Sequence, residues 1–254
     1  MLTQILPDTA FALMLIFVRV GAILMVMPGF GERFITPRFR LVIAVAVSIV
    51  IFPVILPVLP SLPVNVTGMA GLPMGEIAIG VFIGGSMRML VAALQVGGVV
   101  ISFQSSLGFA QFFDPGQGTQ GAIISSFLTM IGMTLIFVAD LHHVMMRAIA
   151  DSYTLFPLAT LPDFSAFAEM AAEMVANAFA VGMQIAAPFI GFAMVLYIGM
   201  GLINRLMPQM QVFFIVMPLQ ILSALTLLAL TLSAICIWYL DYFEQGLLNF
   251  VLER

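Results

Sequence analysis

Between Arg205 and Asp241 the chain runs 35 residues, positions 206–240, without a charge, and between Glu173 and Arg205 it runs 31, positions 174–204. A helix rises about 1.5 Å per residue, so 35 residues reach about 52 Å, well past a hydrocarbon core of about 30 Å. No water-facing fold has enough polar surface to flank two such runs. Composition agrees: 63% of residues are apolar and 8% charged, against about 45–50% and about 25% in soluble chains. The 8 cations, all arginine, face 12 acids for a net charge of −4, which excludes a basic nucleic-acid binder. Cys236 is the one cysteine and lies in an apolar run, so neither a disulfide framework nor a thiolate metal cluster is available. The chain reads as an all-α, multipass integral membrane protein.

About six apolar helical segments, long and kinked, are expected from the spacing of charges and prolines. Thr9–Pro28 is the first. Met1–Asp8 has no positive stretch and the first cation, Arg19, lies inside the apolar run, which is not the pattern of a cleaved signal peptide. Leu41–Leu59 is the second, with Pro53, Pro57, Pro60 and Pro63 expected to end it and extend a connector. Glu76–Phe103, interrupted by Arg88 alone, is the third, and Ala122–Ala139 the fourth. The two long uncharged runs are the fifth and sixth, kinked rather than ended by Pro188 and Pro218. Their short link, Asn204–Gln211, makes them an antiparallel hairpin.

Before the fifth segment, Ser165, Glu169, Glu173 and Asn177 form a polar stripe opposite Phe164, Phe167, Met174 and Val175. That pattern predicts an amphipathic helix on the membrane surface, with Asp163 as its N-cap. The first loop carries Arg33, Arg38 and Arg40 against Glu32, and the fifth carries Arg205. The fourth region holds Asp140, Asp151, Asp163, Glu169 and Glu173 with Arg147 its only cation. Loops one and five are therefore expected in the cytoplasm and both termini outside.

Catalytic motifs are missing: there is no H-E-x-x-H, no G-x-S-x-G and no P-loop. Asp140, His142 and His143 are close in sequence, but adjacent histidines are expected on different helix faces, so they read as a helix cap rather than a metal centre. No enzyme activity, metal or cofactor is expected. Arg19 and Arg88 sit near the middle of apolar helices, where facing lipid costs about 2.5–3.5 kcal/mol. Each either faces protein, paired with a carboxylate or free carbonyls, or lines a water-filled path. Gly80 and Gly84, Gly97 and Gly98, and Ala178, Gly182 and Ala186 form notches that let helix backbones approach.

The most informative stretch is Gln104–Gly121, QSSLGFAQFFDPGQGTQG. Gly108, Gly116, Gly118, Gly121 and Pro115 forbid a continuous helix, while Phe109, Phe112 and Phe113 make it too apolar for a solvated loop. Irregular backbone cannot face hydrocarbon, so it must be enclosed by protein or line an aqueous cavity. It is either a surface connector or a re-entrant plug that blocks a pore with aromatic side chains.

Four segments resemble the FliR family of flagellar type III export-gate subunits and its virulence-secretion relatives: Arg19–Arg40, Ser105–Gly116, His142–Ala159 and Gly201–Pro218. The family often carries glycine where this chain has Ala159 and asparagine where it has Tyr197. The resemblance implies one membrane domain, 1–254. It comprises a FliP-like part, 1–121, ending in a plug loop at 104–121, a fourth helix with the amphipathic segment at 122–173, and a FliQ-like hairpin at 174–254. It implies assembly with FliP-like and FliQ-like subunits into a closed helical gate in the bacterial inner membrane and flagellar basal body. An FlhB-like subunit lies at the cytoplasmic mouth, and unfolded export substrates pass through. Family members sit partly above the bilayer plane, which alters a simple six-span topology. Leu107, Gly108, Phe109, Phe112, Phe113, Asp114, Pro115 and Gly116 are then the gating residues, and Arg205, Pro208 and Gln209 the contacts at the cytoplasmic entrance. The alternatives are a small-solute secondary transporter, which would show two related halves, the equivalent virulence-system subunit, or a metalloenzyme at His142 and His143.

Overall fold

A computed structural model describes residues 2–32, 34–55, 66–109, 123–158, 162–207 and 212–251. Every regular element among them is helical: α1 Leu2–Val26, α2 Pro37–Ile55, α3 Val66–Gln104, α4 Ile123–Val138, α5 Leu141–Leu155, α6 Phe164–Leu206 and α7 Val212–Leu248, with a short 3₁₀ turn at Leu107–Phe109. Among the described residues α1, α2, α3, α6 and α7 are long and apolar enough to cross a membrane, and α4 with α5, bent by 75° at their junction, would make a sixth, broken span. The all-α, multipass reading holds.

The boundaries differ from expectation in physically legible ways. α2 runs through Pro53 to Ile55, α3 starts at Val66 and runs through Pro73, and Pro188 and Pro218 lie inside α6 and α7. Proline is tolerated in membrane helices because neighbouring groups satisfy the freed carbonyl. Pro57, Pro60 and Pro63 lie outside the described residues. The amphipathic segment is not a separate surface helix: α6 continues unbroken from Phe164 to Leu206. Its N-cap is as expected, with Asp163 Oδ1 accepting from Ser165 N at 2.9 Å and Ala166 N at 3.4 Å. α5 was not foreseen, because its polar and charged residues hide it from an apolar count. It begins after Asp140, whose φ of 58° breaks the helical path at the end of α4.

The chain divides into two compact units, one of residues 1–90, 139–174 and 244–254, the other of 91–138 and 175–243, so α3, α6 and α7 contribute to both. In the first, α1 packs on α2 and on α3. A Cβ added at Gly80 would stand 2.6 Å from Ala22 Cβ and 2.8 Å from Arg19 O, so only glycine permits this approach. Phe167 stacks on Phe82 with ring centroids 4.0 Å apart and meets Phe156 edge-on at 5.4 Å. In the second unit α3 and α6 cross backbone to backbone: a Cβ at Gly97 would lie 3.0 Å from Gly182 O, and one at Gly182 would lie 2.8 Å from Ala93 O. α4 joins them through Ser125, whose hydroxyl donates to Gln95 O at 3.1 Å. The apolar stretch of α3 is 56% buried and that of α1 44%, against 17% for α2, 22% for α6 and 17% for α7. α1 and α3 are thus the most buried of the five, and most of the apolar surface of α2, α6 and α7 is left uncovered by the chain itself.

Candidate functional site

Regular α-helix stops at Gln104, where the glycine-and-phenylalanine tract begins. Ser105 and Ser106 make the turn, and Ser106 stands at φ 59° in the left-handed region, which a β-substituted residue enters only when its surroundings hold it there. Both serines are buried, at 0% and 5% exposure. Leu107, Gly108 and Phe109 form the 3₁₀ turn, with Gly108 buried beside the Phe103 ring. Phe112, Phe113, Asp114, Pro115 and Gly116 lie outside the described residues. Arg205 is exposed in the last turn of α6, where a cation complements the helix dipole. Pro208 and Gln209 lie outside the described residues.

Arg19 faces protein. Its side chain has 0% exposure, and Nε pairs with Glu76 Oε2 of α3 at 2.5 Å. Nη1 donates to the carbonyls of Ser152 at 3.1 Å and Phe156 at 2.8 Å, at the C-terminal end of α5. The guanidinium carbon lies 4.4 Å from the centroid of the Tyr153 ring. A cation at a helix C-terminus meets the negative end of the dipole, so one side chain ties α1, α3 and α5 together. Of the two readings open for Arg19, the paired one is observed. Arg88 differs: its side chain is 49% exposed, with Nη2 3.9 Å from Glu32 Oε1 and Nη1 donating to Val26 O at 3.4 Å.

The Asp140, His142 and His143 group corrects an expectation of geometry. Their ligand atoms lie within 4.8 Å of one another and the two imidazole centroids are 4.0 Å apart, so adjacent histidines here share a side. The cause is the helix start after Asp140. Asp140 makes no side-chain cap there, so the expected cap is not formed by its carboxylate. His143 and Asp140 are 73% and 78% exposed, and they stand at the positive end of α5, which opposes a cation.

Sequence reasoning flagged Arg19 but missed Glu76, the Ser152 and Phe156 carbonyls, and Gln220. Glu76 carried one available signal, an acid in an apolar segment whose one other charge is Arg88. Gln220 carried another: it is a polar residue within the 35-residue run and is 4% exposed.

A family model described as bacterial export proteins, family 1, matches residues 10–246. This chain belongs to that family. Among its relatives, the flagellar biosynthetic protein FliR of Caulobacter vibrioides is 37% identical over 231 residues, covering 91% of this chain and 92% of the relative. That of Aquifex aeolicus is 32% identical over 92% of this chain and 90% of its own length. That of Bacillus subtilis is 27% identical, covering 88% and 87%. The match takes in both units, the buried Arg19 cluster and the turn after α3, so the export-family chain is alike throughout rather than in one motif.

Proposed function

We propose that this export-family chain is a structural and gating subunit of the flagellar type III protein-export gate, passing unfolded flagellar subunits across the bacterial inner membrane. The observation that carries the reading is the near full-length likeness to proteins named for flagellar biosynthesis, 37% identical over 91% of the chain in one case. The fold supports it. A buried ion pair ties α1 to α3, and the uncovered apolar faces of α2, α6 and α7 suit lipid and neighbouring subunits.

In this reading the subunit performs no chemistry on its cargo. FliP-like and FliQ-like chains complete the gate wall in the basal body and an FlhB-like chain meets its cytoplasmic mouth. Leu107–Gly116 closes the channel, with Phe109, Phe112 and Phe113 excluding water and the neighbouring glycines letting the segment move aside. Arg205, Pro208 and Gln209 contact other subunits at the entrance. The test is complementation of cells lacking their own FliR-type protein with the full chain. Secretion of hook and filament subunits and motility should return. A chain that assembles with the FliP-like and FliQ-like partners yet restores no secretion would sink the proposal.

A further inference from the structure

Three side chains of metal-ligating type converge at the start of α5. Asp140, His142 and His143 each bring one ligand atom, a carboxylate oxygen or a ring nitrogen, to within 4.8 Å of the other two. His143 Nδ1 lies 3.6 Å from Asp140 Oδ1, and the two imidazole centroids are 4.0 Å apart with their planes tilted by 38°. Backbone geometry produces the convergence. Asp140 stands at φ 58° and ψ 14°, in the left-handed region that aspartate and asparagine enter more readily than most residues. Its carbonyl accepts from His143 N at 2.9 Å. In place of the helix cap expected from the sequence, which it does not make, the carboxylate lies beside an imidazole.

Distances decide whether an ion fits. Zinc binds imidazole nitrogen and carboxylate oxygen at about 2.0–2.2 Å, so two atoms on one tetrahedral ion stand about 3.4 Å apart. Closing 4.8 Å to that spacing asks for movements of about 1 Å. His143 and Asp140 are 73% and 78% exposed, so rotation about their side-chain bonds meets little resistance. Two positive groups oppose a cation here. The N-terminal end of α5 carries about half an elementary charge, less than the full one on Asp140. Arg147, one turn on from His143, is offset by Asp151 at 3.6 Å. Two imidazoles with one carboxylate suit zinc, nickel and copper, whereas magnesium and calcium take oxygen ligands. Three protein ligands leave a fourth position for water.

We propose that Asp140, His142 and His143 form a divalent transition-metal site, with zinc as its ion, which staples the residue before α5 to the first turn of that helix. The proposal goes beyond the export-gate reading and rests on no part of it.

The experiment uses the full chain assembled with its partner subunits, carrying an affinity tag without histidine and stripped of metal by a chelator. Radioactive zinc chloride is dialysed to equilibrium against wild type, Asp140→Asn, His142→Gln, His143→Gln and the double histidine variant. Asparagine suits the left-handed backbone as aspartate does, and glutamine keeps a polar side chain at each histidine. Zinc held by other subunits cancels in the difference between forms. Wild type should bind about one zinc more per copy of this chain than the double variant. Each single variant should hold that zinc about 10–100-fold more weakly, the loss that even an outer-shell partner of a metal ligand causes. Hydrogen exchange at amides 142–145 should slow when zinc is added to wild type and stay unchanged in the double variant. Equal zinc uptake by wild type and the double variant overturns the site. Displacement of the zinc by magnesium at equal concentration overturns its assignment to a transition metal. Zinc bound at the site with no change in exchange overturns the staple. Should the double variant fail to assemble, a single histidine variant replaces it in every comparison.

Discussion

Arg19 shows what a buried charge demands of its neighbours. Its guanidinium is matched by Glu76 and by the carbonyls of Ser152 and Phe156. Removing one member of such a pair leaves the other buried and uncompensated, at a cost of about 3–5 kcal/mol, whereas replacing both with apolar groups is often close to neutral. Arg19→Leu and Glu76→Leu should each lower the thermal midpoint of the detergent-purified complex sharply, and the double variant should recover most of the loss. A double variant that melts as early as either single one would show that the pair does not act as a unit. The arginine was legible in the sequence because an apolar run with one cation needs an explanation. Its partners were not, since they lie 57, 133 and 137 residues away and no periodicity connects them. Arg88, equally conspicuous in sequence, turns out half exposed, because what surrounds a residue at the end of packing is a tertiary property.

At the scale of elements, hydropathy and small-residue spacing located the long helices, while polar composition concealed α5. The acidic stripe of α6 suggested a helix lying on the membrane surface. Instead Phe167, on its other face, packs against Phe82 and Phe156, and the segment becomes the first turns of a 43-residue helix. Phe167 is part-buried, so Phe167→Ala should cost about 1.5–3 kcal/mol, below the range for emptying a fully buried aromatic site. Phe164→Ala, at a residue 64% exposed, should change stability little. Equal effects in a thermal melt would return this segment to the surface. Glycines give a second contrast within α6. Gly182 meets the Ala93 carbonyl and Val96, whereas Gly191 has nothing within 4 Å of an added Cβ. Gly182→Val should separate α3 from α6 and abolish assembly, because overpacking a backbone contact costs about 1–3 kcal/mol or more. Gly191→Ala should be stabilising by about 0.5–1 kcal/mol, through backbone entropy alone. Co-purification with partner subunits separates the two outcomes, and a Gly182→Val chain that still assembles would refute the close crossing.

For the molecule as a whole, the uneven burial of its helices sets what the chain needs around it. α2 and α7 keep 17% of their apolar stretches buried and α6 22%, so these faces await lipid or neighbouring chains. The sequence announced a membrane protein through its uncharged runs, but it could not say which helices are most buried, because all are similarly apolar. The glycine-and-phenylalanine tract was readable as irregular, either a surface connector or a plug; its first residues form the buried turn after Gln104, and residues 110–121 of it lie outside the described ones. The proposed role of this tract in closure is tested by deleting Leu107–Gly116. A closed pore is sealed where apolar side chains exclude water from a constriction, so removing three phenylalanines with their backbone should open a hydrated path. Cells carrying the deletion with partner subunits should become permeable to ions and small solutes while retaining the assembled complex. A membrane that stays tight around that assembled, deleted gate would mean the aromatic tract lies elsewhere than across the channel.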